Sequence, residues 1–246
     1  MADGTNIPTP EDGMGGTPPQ RVPGGDDGEG YICAHASTPP AVDLGLAAEF
    51  VRAIREPVPD ECNSEFRCLR GRKHPLGLKK VPKFFNSTGL ENSVHDVLRH
   101  NSQSEQLGVY LVVNPTRRKS GASSAEDIIS ASWVFADFDD ERSAENYHAF
   151  IAGTPQMAPT FRVITGKKPF ERFHAYWRLT ETFTDLNSWT SLQKKIAKRL
   201  GSDGAVVAPA QLMRVPGFIS WPKPGKPGRV PELVTMEWGA LCDNSR

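Results

Sequence analysis

The stretch Ser132-Trp-Val-Phe-Ala-Asp137-Phe-Asp139-Asp140 constrains this chain more than any other, because it drives an apolar run straight into carboxylates two residues apart. Side chains on a strand alternate between faces, so Asp137 and Asp139 project from one face while Ala136 and Phe138 pack the other. Two carboxylates a few ångströms apart at the end of a buried strand repel each other and lose hydration, which is unfavourable unless a cation or a proton sits between them. Mg²⁺ takes one or two protein carboxylates and leaves its other positions to water and substrate phosphates. The pair therefore points to nucleotidyl or phosphoryl transfer. An isolated Asp-x-Asp just as often ends a strand in a solvated turn, so the rest of the chain must decide.

The balanced formal charge of the 246 residues conceals an asymmetry. Residues 1–61 hold eleven Asp/Glu against three Lys/Arg, a net of −8, which leaves residues 62–246 at +8. A basic body suits a polyanionic partner, although charge drift gives the same asymmetry; the acidic segment either solvates the chain or competes for that surface. No apolar run reaches the roughly 18 residues of a membrane span, and the N-terminus lacks the pattern of a secretory signal. No membrane partner and a cytoplasmic location are expected. Four cysteines, Cys33, Cys62, Cys68 and Cys242, are too scattered for a disulfide scaffold. Cys62, Cys68 and His74 with Cys33 or His35 lack the Cys-x-x-Cys spacing of a zinc knuckle, so Cys68 reads as a core residue.

Residues 1–40 are rich in Gly, Pro and Asp and nearly devoid of large apolar side chains, so they are expected to be a disordered leader. The folded domain spans 41–246. Leu44, Ala47, Phe50, Val51 and Ile54 repeat at helical spacing, and Pro57 and Pro59 follow. A strand over Phe66 to Arg70, a basic loop, a helix over Leu90 to His100 and a strand over Gly108 to Asn114, ended by Pro115, come next. Ser123 and Ser124 start a short helix before the acidic strand. Beyond it, Ser143 is expected to cap a helix to about Ala152. Strands over Thr160 to Thr165 and Phe173 to Leu179 form a hairpin across Gly166-Lys-Lys-Pro169. The clearest helix is Asp185 to Leu200, with Leu186, Trp189, Leu192, Ile196 and Leu200 on one face and Gly201 as its stop. Its cations Lys194, Lys195, Lys198 and Arg199 read as a solvated face or as a nucleic-acid contact. A last strand lies near Glu232 to Trp238.

Three polar positions interrupt apolar surroundings: the Asp137/Asp139 pair, His174 inside a strand, and Asp203 just past a helix stop. His174 shares a strand face with Tyr176 and Arg178. A lone strand histidine is more often structural than catalytic, and its place between two acidic elements is what singles it out. That order resembles the archaeo-eukaryotic primase superfamily, the primase-polymerases, particularly the branch encoded by phages and plasmids. Val134-Phe-Ala-Asp137-Phe-Asp139 matches the family's first motif. Arg172-Phe-His174 meets the second in part, with arginine where the family has a small polar residue. Ser202-Asp203 matches the third, and Val113-Asn-Pro-Thr116 and Gln211-Leu-Met-Arg-Val-Pro-Gly217 flank the motifs as in this branch. The resemblance covers residues 60 to about 238.

What the resemblance implies is an α+β fold, an archaeo-eukaryotic primase-like catalytic core in which a small α/β unit feeds an RRM-like mixed sheet, with the site between them. It implies that Asp137, Asp139 and Asp203 hold Mg²⁺ or Mn²⁺ and that His174 contacts the triphosphate of an incoming nucleotide. Arg172, Lys168 and Arg214 would hold phosphates as well, Arg214 alternatively facing the template, and Arg172 either replaces the usual phosphate contact or marks a weakened relative. The basic loops with Arg117, Arg118 and Lys119 and from Lys223 to Arg229 would follow a template backbone, and Trp221 would stack on a base or simply pack. The implied activity is that of a DNA primase and polymerase acting on single-stranded DNA with nucleoside triphosphates. No Gly-x-x-x-x-Gly-Lys-[Ser/Thr] loop occurs, so a separate replicative helicase is implied. A catalytically inactive single-strand or origin-binding module of the same fold is the alternative. A metal-dependent glycosyltransferase accounts for the Asp pair but not for His174, Asp203 and the basic body, and a relaxase lacks its His-apolar-His pair.

Overall fold

The structure is a computed structural model and describes residues 38–239. The expected leader, apart from its last three residues, and Cys33, His35 and Cys242 lie outside the described residues. In chain order the elements are α1 (Leu44–Arg55), β1 (Asn63–Arg70), β2 (Lys79–Phe85), α2 (Leu90–Leu98), β3 (Gly108–Thr116), β4 (Ala131–Phe138) and α3 (Glu141–Gly153). They continue with β5 (Phe161–Gly166), β6 (Arg172–Phe183), α4 (Leu186–Leu200), β7 (Leu212–Arg214), β8 (Ile219–Ser220), β9 (Glu232–Leu233) and β10 (Thr235–Trp238).

Two four-stranded sheets carry the fold, in the orders β2-β1-β3-β7 and β10-β5-β6-β4, with β8 and β9 as a separate ribbon. The α+β class is as expected. The second sheet differs in one detail from the expected mixed pairing: each of its strand pairs is antiparallel. The α3 crossover returns the chain from β4 to β5 without pairing them, and β6 fills the gap between the two in the opposite direction. The pattern of apolar residues carries no record of that insertion.

Alternation along the second sheet separates two cores. Trp133, Phe135, Phe161 and Tyr176 join the main cluster shared with α1 and the first sheet, whereas Ala136, Phe138, Phe173 and Ala175 pack under α3 and α4 with Tyr147 and Leu200. Phe161 stacks on Tyr176 at 4.7 Å between ring centroids, and Phe135 lies 5.7 Å from Trp189 of α4. Burying each such side chain contributes on the order of 1.5–3 kcal/mol. Cys68 is fully buried, as its apolar neighbours predict.

Local chemistry explains the helix ends. Asp43 caps α1 by accepting from the Leu46 amide, and Asp185 caps α4, which stops at Gly201 in a left-handed conformation. The cap of α3 is a correction: Asp140 takes that position and accepts from the Ser143 amide at 2.9 Å, while Ser143 Oγ donates back to the Asp140 carbonyl. An aspartate three residues upstream reaches the exposed amide better than a serine already inside the first turn.

β4 is an edge strand, and α4 closes that edge. The Gln193 side chain, fully buried, accepts from the Phe135 amide and donates to the Phe135 carbonyl and to the Val206 carbonyl. One step along, the Asp203 amide donates to the Asp137 carbonyl at 3.0 Å. These bonds lock β4, α4 and the 203–206 segment together and so fix the two acidic elements side by side. Gly217 has φ +84°, and a Cβ there would run into the Asp43 carbonyl and approach the Ala47 amide to 2.9 Å. Only glycine lets the chain after Arg214 press against the start of α1.

Candidate active site

The face of the second sheet that buries Phe135 and Tyr176 turns polar at one end. Asp137 pairs across the sheet with His174, and Arg172 and Thr165 lie on the same face. Opposite stand Tyr110 of β3 and Arg214 of β7, a cross-strand pair whose guanidinium sits 5.0 Å over the phenol ring. Between the sheets lies a cavity of about 250 Å³, lined by Asp137, Asp139, His174, Asp203, Arg214 and Lys223 among others. The three acids, His174, Arg172, Arg214, Trp221 and Lys223, separated by up to 86 positions in sequence from Asp137 to Lys223, thus meet in one place.

The electrostatics of the acids are lopsided. Burial, then the charges of Asp139 and Asp203, push the Asp137 carboxyl up to about 7, against the smaller opposite pull of Lys223 and Arg214. Burial also works against the charge of Asp139, but the hydrogen bond and charge of Arg229, with Lys223 and Lys226, outweigh it and hold that carboxyl below its ordinary value. Arg229 lies 3.0 Å from Asp139 Oδ1 and also donates to the Asp139 carbonyl, and Lys226 stands 3.7 Å away. Asp203 Oδ1 accepts from the Ala205 amide at 2.9 Å.

His174 is buried, and burial followed by the charge of Arg214 lowers its pKa to about 3, so the ring is neutral. Its Nε2 lies 3.6 Å from Asp137 Oδ1, beyond a good hydrogen bond, and Nδ1 has no partner. The Tyr176 hydroxyl beside Asp137 is likewise buried and without a partner, and burial and the Asp137 charge keep it protonated. The unpartnered Nδ1 of His174, a residue that lines the cavity, leaves a polar group for a ligand to satisfy.

A hard divalent cation fits the donor set, which is all carboxylate oxygen; burial and the charges of Asp139 and Asp203 oppose the ionisation of Asp137, and a bound cation would offset both. Among the described residues, however, no three His, Cys, Asp or Glu side chains converge to metal-ligating distance. Asp139 is turned to Arg229 instead.

The other residues singled out from sequence fall in three groups. Arg172 lines the cavity, but its guanidinium is committed: Nη2 lies 3.2 Å from Glu232 and Nη1 donates to the Lys168 carbonyl at 2.6 Å. A Cβ at Gly166 would overlap that guanidinium, so glycine is what lets Arg172 and Glu232 meet. Lys168 is exposed on the β5–β6 turn, where its amide, with that of Lys167, donates to Glu232. Trp221 is buried and donates to the Asn101 carbonyl, so it packs, with a part of its surface lining the cavity. Arg117, Arg118 and Lys119 do not line it; they follow the far end of β3, about 23 Å along the strand from Tyr110 at about 3.3 Å per residue. Arg118 is paired there with Asp127 at 3.0 Å.

Sequence reasoning read Arg229 as part of a template-following loop and Glu232 only as the start of a strand. Both partners of these residues lie at least 60 positions away, so no local spacing signals them.

Neither a protein-family model nor a curated protein sequence matches the chain. Solved structures do. The chain is similar to the primase-polymerase domain of cyanophage S-2L, with TM-score 0.57 and 22% identity, over 81% of this chain and 92% of that one. It is also similar to the primase RepB′, with TM-score 0.50 and 14% identity, over 79% of this chain and 55% of that one. No described helix is long and apolar enough to cross a membrane. The chain shares the α+β fold of these primase domains, the fold that the resemblance implied.

Proposed function

We propose that the protein is a template-directed nucleotidyltransferase that makes primers, and extends them as a DNA polymerase, in phage or plasmid replication. The observation that carries this reading is the convergence of Asp137, Asp139, Asp203 and a neutral His174 with Arg214 in one cavity between the sheets. The carboxylates would hold Mg²⁺ or Mn²⁺, which when bound lowers the pKa of a primer hydroxyl and offsets charge on the transferred phosphorus. The chain's own part is binding and orientation. Neutral His174 can donate one N–H to a triphosphate oxygen without adding charge that the acids would capture. Arg214 supplies the positive charge that draws and holds the phosphates of a nucleoside triphosphate.

Arg229 and Lys226 must leave Asp139 for the carboxylate to take a cation, and they are then free to face phosphate. Arg172 acts in this reading through the hairpin it ties to Glu232, as a positioning residue, and Lys168 reaches from the rim. Single-stranded DNA is the template, and a separate replicative helicase is the expected partner.

One observation favours a second reading, an inactive single-strand or origin-binding module: Asp139 is already neutralised by its own chain. Incorporation of labelled nucleotide on a single-stranded template, with and without primer, in Mg²⁺ and in Mn²⁺, separates them. Metal-dependent product that disappears in the Asp137→Ala/Asp139→Ala variant is the expected outcome. A folded wild type that binds DNA yet makes no product would establish the binding module.

A further inference from the structure

A second cleft, of about 360 Å³, opens beside the carboxylate cavity and shares Tyr110, Arg214, Trp221 and Lys223 with it. We propose that this cleft, between the β1–β2 turn at 71–78 and the segment 221–224, is the seat of the DNA template, with Arg72, Lys73 and Lys223 on its phosphates and Tyr110 and Pro222 against its bases. The proposal rests on the reading of the chain as a template-directed nucleotidyltransferase and assigns the strand that does not react.

Both walls are rigid. Arg70 donates to the carbonyls of Leu76, Gly77 and Glu105, and His74 Nε2 lies 3.2 Å from Gln106 Oε1, so the β1–β2 turn is pinned at several points. The facing wall is held by Trp221, whose indole donates to the Asn101 carbonyl at 3.1 Å. A turn fixed this firmly nonetheless leaves Arg72 and Lys73 exposed and, among the described residues, without an ion pair, beside Leu76 and Leu78, each 49% exposed. Lys223 across the cleft is exposed too; its charge already acts on Asp137 and Asp139 from the edge shared with the cavity. Arg72 and Lys73 have no carboxylate beside them in the cleft lining and present their charge to an external anion.

The chemistry of the lining selects the ligand. No Asp or Glu lines this cleft, in contrast to the cavity it adjoins, so it suits a polyanion and offers nothing to a divalent cation. Tyr110, with Arg214 on one side of its ring, and the prolines 222 and 224 give flat apolar surfaces of the kind on which unpaired bases stack. The two spaces adjoin at these shared residues, so a strand lying in the cleft has its next base beside the cavity with the acids. The Arg117–Lys119 loop, at the other end of β3, has no such adjacency.

The test is binding of a fluorescein-labelled oligo-dT of about 20 nucleotides, read by anisotropy in EDTA over a range of KCl. Wild type is compared with Arg72→Ala/Lys73→Ala and with Lys194→Ala/Lys195→Ala, which removes the same charge from the exposed face of α4. Loss of two phosphate contacts should weaken binding on the order of tenfold at low salt and make the slope of log K against log[salt] shallower by about 1.4, at about 0.7 per phosphate. Arg72→Lys should retain binding. Because both positions are exposed, an unchanged melting temperature verifies folding. An Arg72→Ala/Lys73→Ala variant with wild-type affinity and slope, or a wild type that does not bind, overturns the proposal. Incorporation at limiting template keeps the two claims apart: polymerisation by wild type and cleft variant alike removes the template seat but leaves the enzyme. Loss of DNA binding in the variant with no polymerisation by wild type removes the enzyme but leaves the seat.

Discussion

Replacing Asp137 by asparagine should stabilise the metal-free protein while destroying its proposed chemistry. In the fold the carboxyl stands at about 7 rather than at 3.8, because burial and the charges of Asp139 and Asp203 all oppose its ionisation. A carboxyl raised in this way costs nothing well below 3.8, where it is protonated folded or unfolded. Its cost grows as the pH climbs and is complete above about 7, where the folded protein must also give up the proton. At about 1.4 kcal/mol per pH unit, asparagine should gain roughly 1 kcal/mol at about pH 4.5, roughly 3 at about pH 6 and roughly 4 at about pH 8. For a domain of this size the last figure corresponds to a rise of roughly 10 °C in Tm. Urea unfolding of wild type and Asp137→Asn in EDTA at the three pH values measures the difference. A gain that does not change with pH, or a loss at the highest pH, would falsify the account of an Asp137 carboxyl raised by burial and by its two acidic neighbours. With Mn²⁺ in place of EDTA, the ion should stabilise wild type and leave the variant nearly unmoved, since the bound ion replaces the proton that asparagine makes unnecessary.

Two further outcomes follow from the supporting structure. Glu232→Ala strands the buried Arg172 guanidinium and should cost on the order of 3 kcal/mol; Arg172→Met/Glu232→Leu should cost less than the sum of the single changes, and strict additivity in a double-mutant cycle would refute the pair. Gln193→Leu leaves the amide and carbonyl of Phe135 buried without partners, and the urea midpoint should fall by an amount equivalent to about 1–3 kcal/mol with an unchanged slope.

Elements whose signal is local were readable in the sequence. The faces of α4 and β4, the β5–β6 hairpin and the position of Gly201 each follow from spacing, and the first-motif acids fall where strand alternation puts them. β2 was read as part of a basic loop because Lys79, Lys80, Pro82 and Lys83 break any apolar pattern. It is tolerated as a strand since it lies at the sheet edge, where a proline and solvated lysines do no harm. β7 and β8, of three and two residues, are too short for a period to register. β3 runs through Pro115 to Thr116 instead of ending at the proline. In the cavity, Asp137, Asp139 and His174 announced themselves as polar positions in apolar runs. The partners that aim or neutralise them did not: Arg229 on Asp139 and Glu232 on Arg172 arise only when distant segments fold together.

The side chain of Gln193 has a consequence for the life of the chain before and after folding. β4 carries a nearly continuous apolar run, and an edge strand of that composition with open backbone groups is a template on which a second copy could assemble. Gln193 takes both backbone groups of Phe135 and the Asp203 amide takes the carbonyl of Asp137, so the rim of the sheet that bears the acids offers no free ladder to a neighbour. The strand is open to the cavity only at its tip, while its flank is sealed by a helix. Loss of that seal would therefore first be felt as poor solubility during synthesis, ahead of any change in what the cavity can bind.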